Sequence, residues 1–304
     1  ASGITSFHQA VLGGEDQTMI KLTYVGHATM LIEIDGVRIL TDPILRGRVG
    51  HLRRAATASD PMLLEDVDVV LISHLHWDHF DPPSIRRLGN TPKLVGPTGT
   101  AKTLNRRPLR RTLHNEVQEI HVGEVLQIGP LEIRATYAEH KGSRYPIGPA
   151  TESLGFVISS RDNGGHSVYF AGDTDLFDDM QHVAQHLEHG LDVALLPVWG
   201  WGPTLGKGHM NPLRAAQSLR MLQPRLAIPI HWGTLHPIGM GSMGMSAHAV
   251  HGVGAERNKP RFLSHPPQAF VHHAIHIAPE VEVCVLPPGG HVAVERKAEN
   301  VLFY

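Results

Sequence analysis

The chain has 304 residues, a formal net charge of −2 with its 23 histidines neutral, and a single cysteine. The near-neutral charge gives no reason to expect specific nucleic-acid binding, and no apolar stretch is long enough to form a transmembrane segment. One cysteine excludes a disulfide framework and predicts a cytoplasmic location.

The pattern of apolar residues predicts one folded domain. Residues 1–19 are weakly patterned and are expected to form an N-terminal arm. Residues 20–304 contain no low-complexity linker, so we expect a single domain over that range. Helical patterns alternate with short apolar strands, which indicates an α/β class. The predicted helices include Met180–Glu188, Pro212–Leu222 and Ala247–Ala255. The two halves of the domain are expected to divide near Arg161–Gly165.

The densest group of candidate metal ligands is the run His74-Leu75-His76-Trp77-Asp78-His79. It follows residues 67–73, which have the composition of a buried strand. Imidazole nitrogens and a carboxylate oxygen suit Zn²⁺ and tolerate Fe or Mn. A lone histidine is usually a hydrogen-bonded surface or core residue, but four such side chains in six residues are hard to explain by packing. In an extended chain, alternation would point the side chains of His74, His76 and Asp78 to one side. A turn at the end of the run would bring His79 toward a second ion.

This H-x-H-x-D-H run resembles the signature of the metallo-β-lactamase superfamily. Members of that superfamily are mostly metal-dependent hydrolases with a four-layer αββα sandwich, and the resemblance implies both. It also implies three further ligands later in the chain, at His140, Asp173 and His231. Each of these follows an apolar run that predicts a strand, so every ligand is expected at a strand end.

The resemblance divides the ligands between two divalent metal ions. The first ion takes His74, His76 and His140; the second takes Asp78, His79 and His231; Asp173 bridges them. We expect Zn²⁺, with Mn or Fe as alternatives. Two cations about 3.5–4 Å apart can share a hydroxide that attacks a carbonyl or phosphoryl centre. No G-x-S-x-G nucleophile motif is present, and Cys284 lies in an apolar stretch that predicts a buried strand residue.

Further residues are expected to support the ligands. The resemblance places Asp42, in Thr41-Asp42-Pro43, where an aspartate orients a metal-bound histidine. The alternative is a turn-forming Asp-Pro at a strand end. His27 follows a glycine at a strand end, where it either faces the metals or hydrogen-bonds a neighbouring loop.

Within the superfamily, three segments resemble the branch that contains L-ascorbate-6-phosphate lactonase and N-acyl phosphatidylethanolamine phospholipase D. They are Tyr24–Ile34, Thr41–Pro43 and His231-Trp232-Gly233-Thr234. In the phospholipase branch a histidine precedes Asp-Pro at the start of a helix. Here His209 precedes Met210-Asn211-Pro212, and Asn211 remains a good N-cap with Pro212 in the first turn. We expect His209 to hold a substrate oxyanion or protonate a leaving group, unless it only lines the pocket.

Two apolar segments are candidate lids over the metals. One contains Trp199 and Trp201, for which core packing is the alternative, and the other is the Gly/Met run Ile238–Met245. The cluster Arg106–Arg111 carries four cations, which either steer an anionic substrate or lie on a solvated surface.

The sequence therefore predicts a binuclear metal-dependent hydrolase whose catalytic residues are Asp78, Asp173 and His209. A small anionic substrate is favoured, either a phosphodiester or a phosphate-bearing ester or lactone. The alternatives are a lactonase or carboxylic-ester hydrolase without phosphate preference, and a non-catalytic metal-binding or ligand-sensing protein. His76 stands where redox di-iron relatives usually carry a glutamate, which favours hydrolysis. Peripheral lipid contact and homo-oligomer formation are left open.

Overall fold

The computed structural model describes residues 19–56, 64–89, 91–105, 115–144, 148, 151–161, 165–240 and 261–295. Four sequence predictions lie wholly or mostly outside these residues: the N-terminal arm, the arginine cluster, the helix Ala247–Ala255 and most of the Gly/Met run. The extent of the single domain therefore stays a prediction.

Seventeen strands and five α-helices are present in the described residues. In chain order the strands are β1 (Met19–Gly26), β2 (Thr29–Ile34), β3 (Val37–Thr41), β4 (Arg48–Val49), β5 (Leu52–Arg54), β6 (Val69–Leu71), β7 (Lys93–Gly96), β8 (Val117–Glu119), β9 (Val125–Ile128), β10 (Leu131–Tyr137), β11 (Leu154–Ser160), β12 (Ser167–Phe170), β13 (Val193–Pro197), β14 (Leu226–Ile230), β15 (Leu235–Pro237), β16 (Glu282–Val283) and β17 (His291–Glu295). The helices are α1 (Pro82–Ile85), α2 (Thr100–Leu104), α3 (Pro212–Leu222), α4 (Arg261–Ser264) and α5 (Pro266–Ile277).

Most strands form two seven-stranded sheets. The first has the order β17-β1-β2-β3-β6-β7-β8, and the second has the order β16-β14-β13-β12-β11-β10-β9. Parallel pairing joins β3, β6, β7 and β8 in the first sheet, and β12, β13, β14 and β16 in the second. The carboxyl ends of parallel strands meet at one edge of a sheet, so the loops that follow them are brought together.

Alternation along the strands produces the layers. On β2, Met30 and Ile32 belong to a large core shared with second-sheet residues such as Phe156, whereas Leu31 faces a smaller core that includes Ile85 and Leu104 at α1 and α2. Residues of α3 and α5 pack with the second sheet. Strands β13 and β14 are buried at every position, as expected when both faces of a sheet are covered. The predicted αββα sandwich is therefore present.

Three expectations about the fold were wrong. Cys284, expected as a buried strand residue, directly follows β16 and is half-buried. The halves do not divide near Arg161–Gly165, because β11 and β12 pair directly with each other, with Ser159 opposite Ser167. The chain instead crosses to the second sheet between β8 and β9.

The predicted helix Met180–Glu188 is a 3-10 helix over Asp178–His182 followed by turns. The buried residues Met180 and Val183 are three apart, a spacing that suits three residues per turn.

The predicted helix Pro212–Leu222 is confirmed as α3. The side chain of Asn211 accepts a hydrogen bond from the Arg214 backbone N–H, and Pro212 occupies the first turn. Asparagine thus caps this helix as the sequence predicted. Of the helices described, none has the length and apolar character required to cross a bilayer.

Candidate metal centre

The predicted ligands follow strands whose ends lie at one edge of the sandwich. His74 comes three residues after β6, His140 three after β10, and Asp173 three after β12. His231 follows β14 immediately. The structure brings all seven predicted ligand residues into overlapping groups of nitrogen and oxygen atoms, each group within 4.8 Å. Strand ends therefore assemble the centre, although the role of each residue as a ligand stays a prediction.

The first group contains three imidazoles whose nitrogens face one another. His76 Nδ1 lies 3.0 Å from His74 Nε2 and 3.2 Å from His140 Nε2. His140 donates its Nδ1–H to the Gly208 carbonyl oxygen at 2.8 Å, so its Nε2 carries a lone pair. Ser73 Oγ donates to Asp42 and so accepts from His74 Nδ1, which leaves a lone pair on His74 Nε2 as well. One hydrogen at His76 cannot satisfy both lone pairs, so the group fits a cation.

The spacing of these nitrogens also fits a metal. Two nitrogens that each lie about 2.0–2.1 Å from one tetrahedral Zn²⁺ are separated by about 3.3 Å. The observed separations of 3.0 and 3.2 Å are close to that edge length. Imidazole donors with a carboxylate nearby are a ligand set suited to zinc.

The second group places two further lone pairs beside carboxylates. His79 donates its Nδ1–H to Asp42 at 2.7 Å, and His231 donates its Nδ1–H to the Trp199 carbonyl oxygen at 2.8 Å. Their Nε2 atoms are 3.0 Å apart, and each lies 3.6 Å from Asp78 Oδ2. Acceptor atoms facing each other in a buried site are unfavourable unless a positive charge lies between them.

Asp173 lies between the two groups. Its Oδ2 is 3.1 Å from His79 Nε2 and 4.0 Å from His74 Nε2, and its Oδ1 is 3.2 Å from His231 Nε2. The preceding Gly172 has a φ of +60°, and a Cβ there would lie 2.6 Å from the Ser73 Cβ. Glycine is therefore required for Asp173 to approach the histidine loop this closely. Asp173 thus lies beside nitrogens of both groups, and its bridging of two ions stays a prediction.

Burial and charge set the protonation of these groups. Burial and the neighbouring imidazoles lower the pKa of His74 well below its ordinary value, and burial lowers that of His140 to about 4. Although burial alone would raise it, nearby imidazoles hold the pKa of Asp173 well below its usual range. Burial also opposes charge on His79, yet the carboxylates of Asp173, Asp78 and Asp42 raise its pKa well above normal. His74 and His140 are therefore neutral and Asp173 is ionised, which are the forms that bind metals, whereas a proton on His79 supplies a positive charge that a bound cation would replace.

Asp42 supports both groups at once. It accepts hydrogen bonds from the Ser73 backbone N–H at 2.7 Å, the Ser73 hydroxyl at 2.5 Å and His79 Nδ1 at 2.7 Å. Its side chain is fully buried. The structure therefore places Asp42 where an orienting carboxylate would lie, and its contact with His79 fixes the tautomer of that imidazole.

The sequence left open whether His27 faces the metal centre or hydrogen-bonds a neighbouring loop, and the structure shows both arrangements. Its Nε2 lies 3.0 Å from Asp78 Oδ2, and burial lowers its pKa to about 3. Its backbone N–H donates to Thr234 Oγ1 at 2.7 Å, while its carbonyl oxygen accepts from the His231 N–H at 2.7 Å. His27 thus faces the second group and also ties it to a neighbouring loop.

His209 lies at the border of the centre. Its Nε2 is 3.2 Å from Asp173 Oδ2, and its Nδ1 is 3.2 Å from both the Gly206 and Lys207 carbonyl oxygens. The side chain keeps 19% of its exposure. Burial opposes protonation, but the charge of Asp173 raises the pKa of His209 to about 9. His209 is therefore a partly exposed imidazole held at both nitrogens beside Asp173, and its contact with a substrate stays a prediction.

The two tryptophans differ in what they contact. The Trp199 indole donates to the Gly202 carbonyl oxygen at 2.9 Å, and its own carbonyl oxygen receives the His231 hydrogen bond. Trp201 packs against a small core of Ile44, Val49, Leu52 and Leu235, and its ring meets His51 edge-on at 5.1 Å. Both tryptophans therefore pack against a core, and Trp199 also supports a predicted ligand through its backbone carbonyl oxygen.

Several supporting residues were missed by the sequence analysis. Ser73 links Asp42 to His74, Thr234 holds His27, and the Gly208 carbonyl oxygen orients His140. Gly208 has a φ of +77°, and a Cβ there would meet His140 Nδ1 at 3.0 Å. In the sequence, these supports are indicated only by a serine directly before the first predicted ligand and by a glycine directly before His209.

Comparison with known proteins agrees with the fold. A model of the β-lactamase superfamily domain matches residues 37–232. The UPF0173 metal-dependent hydrolase of Methanopyrus kandleri is 30% identical over 275 residues, which cover 89% of this chain and 98% of that protein. The N-acyl-phosphatidylethanolamine-hydrolyzing phospholipase D 1 of Caenorhabditis elegans is 28% identical over 235 residues, or 71% of this chain and 64% of that protein.

A solved structure shows the same architecture. Igni18, a metallo hydrolase from the archaeon Ignicoccus hospitalis, aligns with a TM-score of 0.65 and 25% identity, covering 92% of this chain and 100% of that one. The predicted fold and family are confirmed by these matches together. This chain belongs to the metallo-β-lactamase superfamily and is one of its metal-dependent hydrolases.

Proposed function

We propose that this protein is a binuclear metal-dependent hydrolase that cleaves a phosphodiester, or an ester or lactone in a phosphate-bearing small molecule. The observation that carries the proposal is the convergence of imidazole lone pairs and ionised carboxylates with too few hydrogens between them. His74, His76 and His140 would hold one ion, Asp78, His79 and His231 the other, and Asp173 both.

The metals and the protein have separate tasks in this proposal. Two divalent cations, with Zn²⁺ favoured and Mn or Fe as alternatives, would supply Lewis acidity and lower the pKa of a water when bound. Asp42 and the carbonyl oxygens of Trp199 and Gly208 orient the imidazoles beforehand, so little reorganisation is needed during the reaction. His209, partly exposed beside Asp173, is placed to donate a hydrogen bond or a proton from Nε2 to a substrate oxygen.

Two observations support a phosphate-bearing substrate. Lys141 directly follows His140, Lys207 lies two residues before His209, and both lysines are exposed. Among the relatives is a phospholipase that hydrolyses N-acyl-phosphatidylethanolamine, whose scissile group is a phosphodiester. Phosphate oxygens are recognised well by lysine and imidazole donors.

Substitution of His209 by glutamine is expected to lower kcat by about 100- to 10,000-fold, the usual contribution of a proton donor or acceptor. Glutamine keeps a polar side chain of similar reach, so metal content should not change. Steady-state kinetics and metal analysis of the same preparation check both points. His273→Gln on α5, outside the centre, is the matched control and should retain wild-type kinetics. Unchanged kcat in His209→Gln would mean that His209 only lines the pocket.

The proposal as a whole is tested by metal analysis joined to a substrate panel. We expect about two metal ions per chain by inductively coupled plasma mass spectrometry. Hydrolysis of bis(p-nitrophenyl) phosphate should exceed that of simple lactones and carboxylic esters. Preference for lactones would shift the assignment to a lactonase. Metal-loaded protein that turns over no member of the panel would contradict catalysis and favour a ligand-sensing role.

A further inference from the structure

Arg144 is a buried cation that hydrogen-bonds both ends of the loop carrying three of the predicted ligands. Its side chain is only 6% exposed. Nη1 donates to the Leu75 carbonyl oxygen at 3.1 Å and to the Phe80 carbonyl oxygen at 2.8 Å. These two carbonyl groups bracket residues 76–79, which include His76, Asp78 and His79. One guanidinium therefore fixes the start and the end of the ligand loop.

Trp77, between two predicted ligands, covers this guanidinium. The Arg144 Cζ lies 3.7 Å from the Trp77 ring centroid and 5.7 Å from that of Phe80. Trp77 is 50% exposed, whereas Phe80 is fully buried. An indole stacked on a guanidinium attracts it through a cation–π interaction. It also keeps water from the two hydrogen bonds beneath, which are stronger when water is excluded.

Arg144 also joins the two chain segments from which the first metal group is drawn. It lies four residues after His140, and in the same segment the Gly142 carbonyl oxygen accepts the Leu75 N–H at 3.1 Å. His76 lies in the loop and His74 directly precedes Leu75 at its start, while His140 belongs to the segment of Arg144. The second group takes Asp78 and His79 from the loop but His231 from the end of β14. A shift between the loop and the Arg144 segment would therefore open the first group more than the second.

We propose that Arg144, covered by Trp77, is a positioning residue that sets the metal affinity of the centre, most strongly at the group of His74, His76 and His140. This inference rests on the proposed function, since it requires those residues to bind metal. Lysine cannot replace Arg144 conservatively, because it lacks the planar face that stacks on Trp77 and the fixed donor geometry that spans two carbonyl groups.

Zn²⁺ affinity tests the inference directly. Competition titrations with a chromogenic chelator would be compared for wild type, Arg144→Lys, Arg144→Gln, Trp77→Phe and Trp77→Ala, together with the visible absorption of each Co²⁺-substituted protein. We expect one of the two sites to weaken by about 10- to 100-fold in both Arg144 variants, the usual range for residues that orient ligands. The Co²⁺ spectrum should change with it. Trp77→Phe should remain near wild type, and Trp77→Ala should lie between.

Arg225→Gln is the control for a merely structural arginine. Arg225 contacts Asp192 at 2.9 Å, away from the predicted ligands, so its loss should lower Tm and leave Zn²⁺ affinity and the Co²⁺ spectrum unchanged. Wild-type protein that binds no metal would refute the proposed function itself. Wild type with two sites and Arg144→Gln with the same affinities and spectrum would overturn the inference about Arg144. Should Arg144→Gln not fold, unchanged affinities in Arg144→Lys and Trp77→Ala would overturn it equally.

Discussion

Replacement of Asp173 by asparagine is expected to reduce turnover by about 1000-fold or more and to lower the number of bound metal ions. Asp173 lies within 3.2 Å of nitrogens from His79, His231 and His209, and only 2% of it is exposed. Asparagine preserves the shape but removes the negative charge shared by both groups. Losing several kcal/mol of charge stabilisation in the transition state corresponds to about three orders of magnitude in rate.

A second buried aspartate provides the matched control for this substitution. Asp192 is also 2% exposed, accepts from the Ser167 N–H at 3.0 Å and pairs with Arg225. It precedes β13, at the end of the strand opposite to the metal centre. Asp192→Asn should lower Tm while kcat and metal content stay at wild-type values. If Asp173→Asn kept two metals and normal kcat, the bridging assignment would be incorrect. Kinetics and metal analysis of both variants give the answer.

The fold was largely predictable because its signals are local. The apolar strands, the Asn211-Pro212 start of α3 and the ligands after strand ends can all be read from short segments of sequence. The division between the sheets was not predictable in this way. Strand β11 could pair with a neighbour in either half; it pairs with β12, where Phe156 and Phe170 lie opposite each other in the shared core. A stretch of weakly patterned residues looked like a boundary, but the strands on either side of it pair with each other.

In the candidate site, too, only local features could be predicted from the sequence. The ligand loop is dense enough to be recognised by itself, but its supports come from distant parts of the chain. His27 reaches Asp78 across 51 positions, and Arg144 reaches Leu75 across 69. Residues His27 and His231 have left-handed φ values of 59° and 62°, which non-glycine residues adopt only where the surroundings enforce them. No short pattern encodes such contacts, because they depend on how the two sheets are placed against each other.

Removal of the metals should abolish activity and destabilise the protein together. Asp42, Asp78 and Asp173 are buried within the same small region as the lone pairs of the imidazoles. Bound cations balance that charge in the folded state alone, so they stabilise it by mass action. A site filled at about 1000 times its Kd contributes roughly 4 kcal/mol. In a chain of this length, that corresponds to a fall in Tm of about 6 °C per site after chelation.

A loss of activity together with a fall in Tm distinguishes a catalytic metal centre from a purely structural one. Dialysis against a chelator should bring hydrolysis to background and lower Tm, and added Zn²⁺ or Mn²⁺ should restore both. The same chelator already saturated with Zn²⁺ is the control and should change neither. Asp192→Asn should have a lower Tm than wild type before chelation. Chelation should then lower its Tm by the same amount as in wild type, because Asp192 lies outside the centre. Activity that survives complete chelation would contradict the metal-dependent mechanism. A lower Tm with full activity would assign the cations a structural role, because catalysis would then not need them.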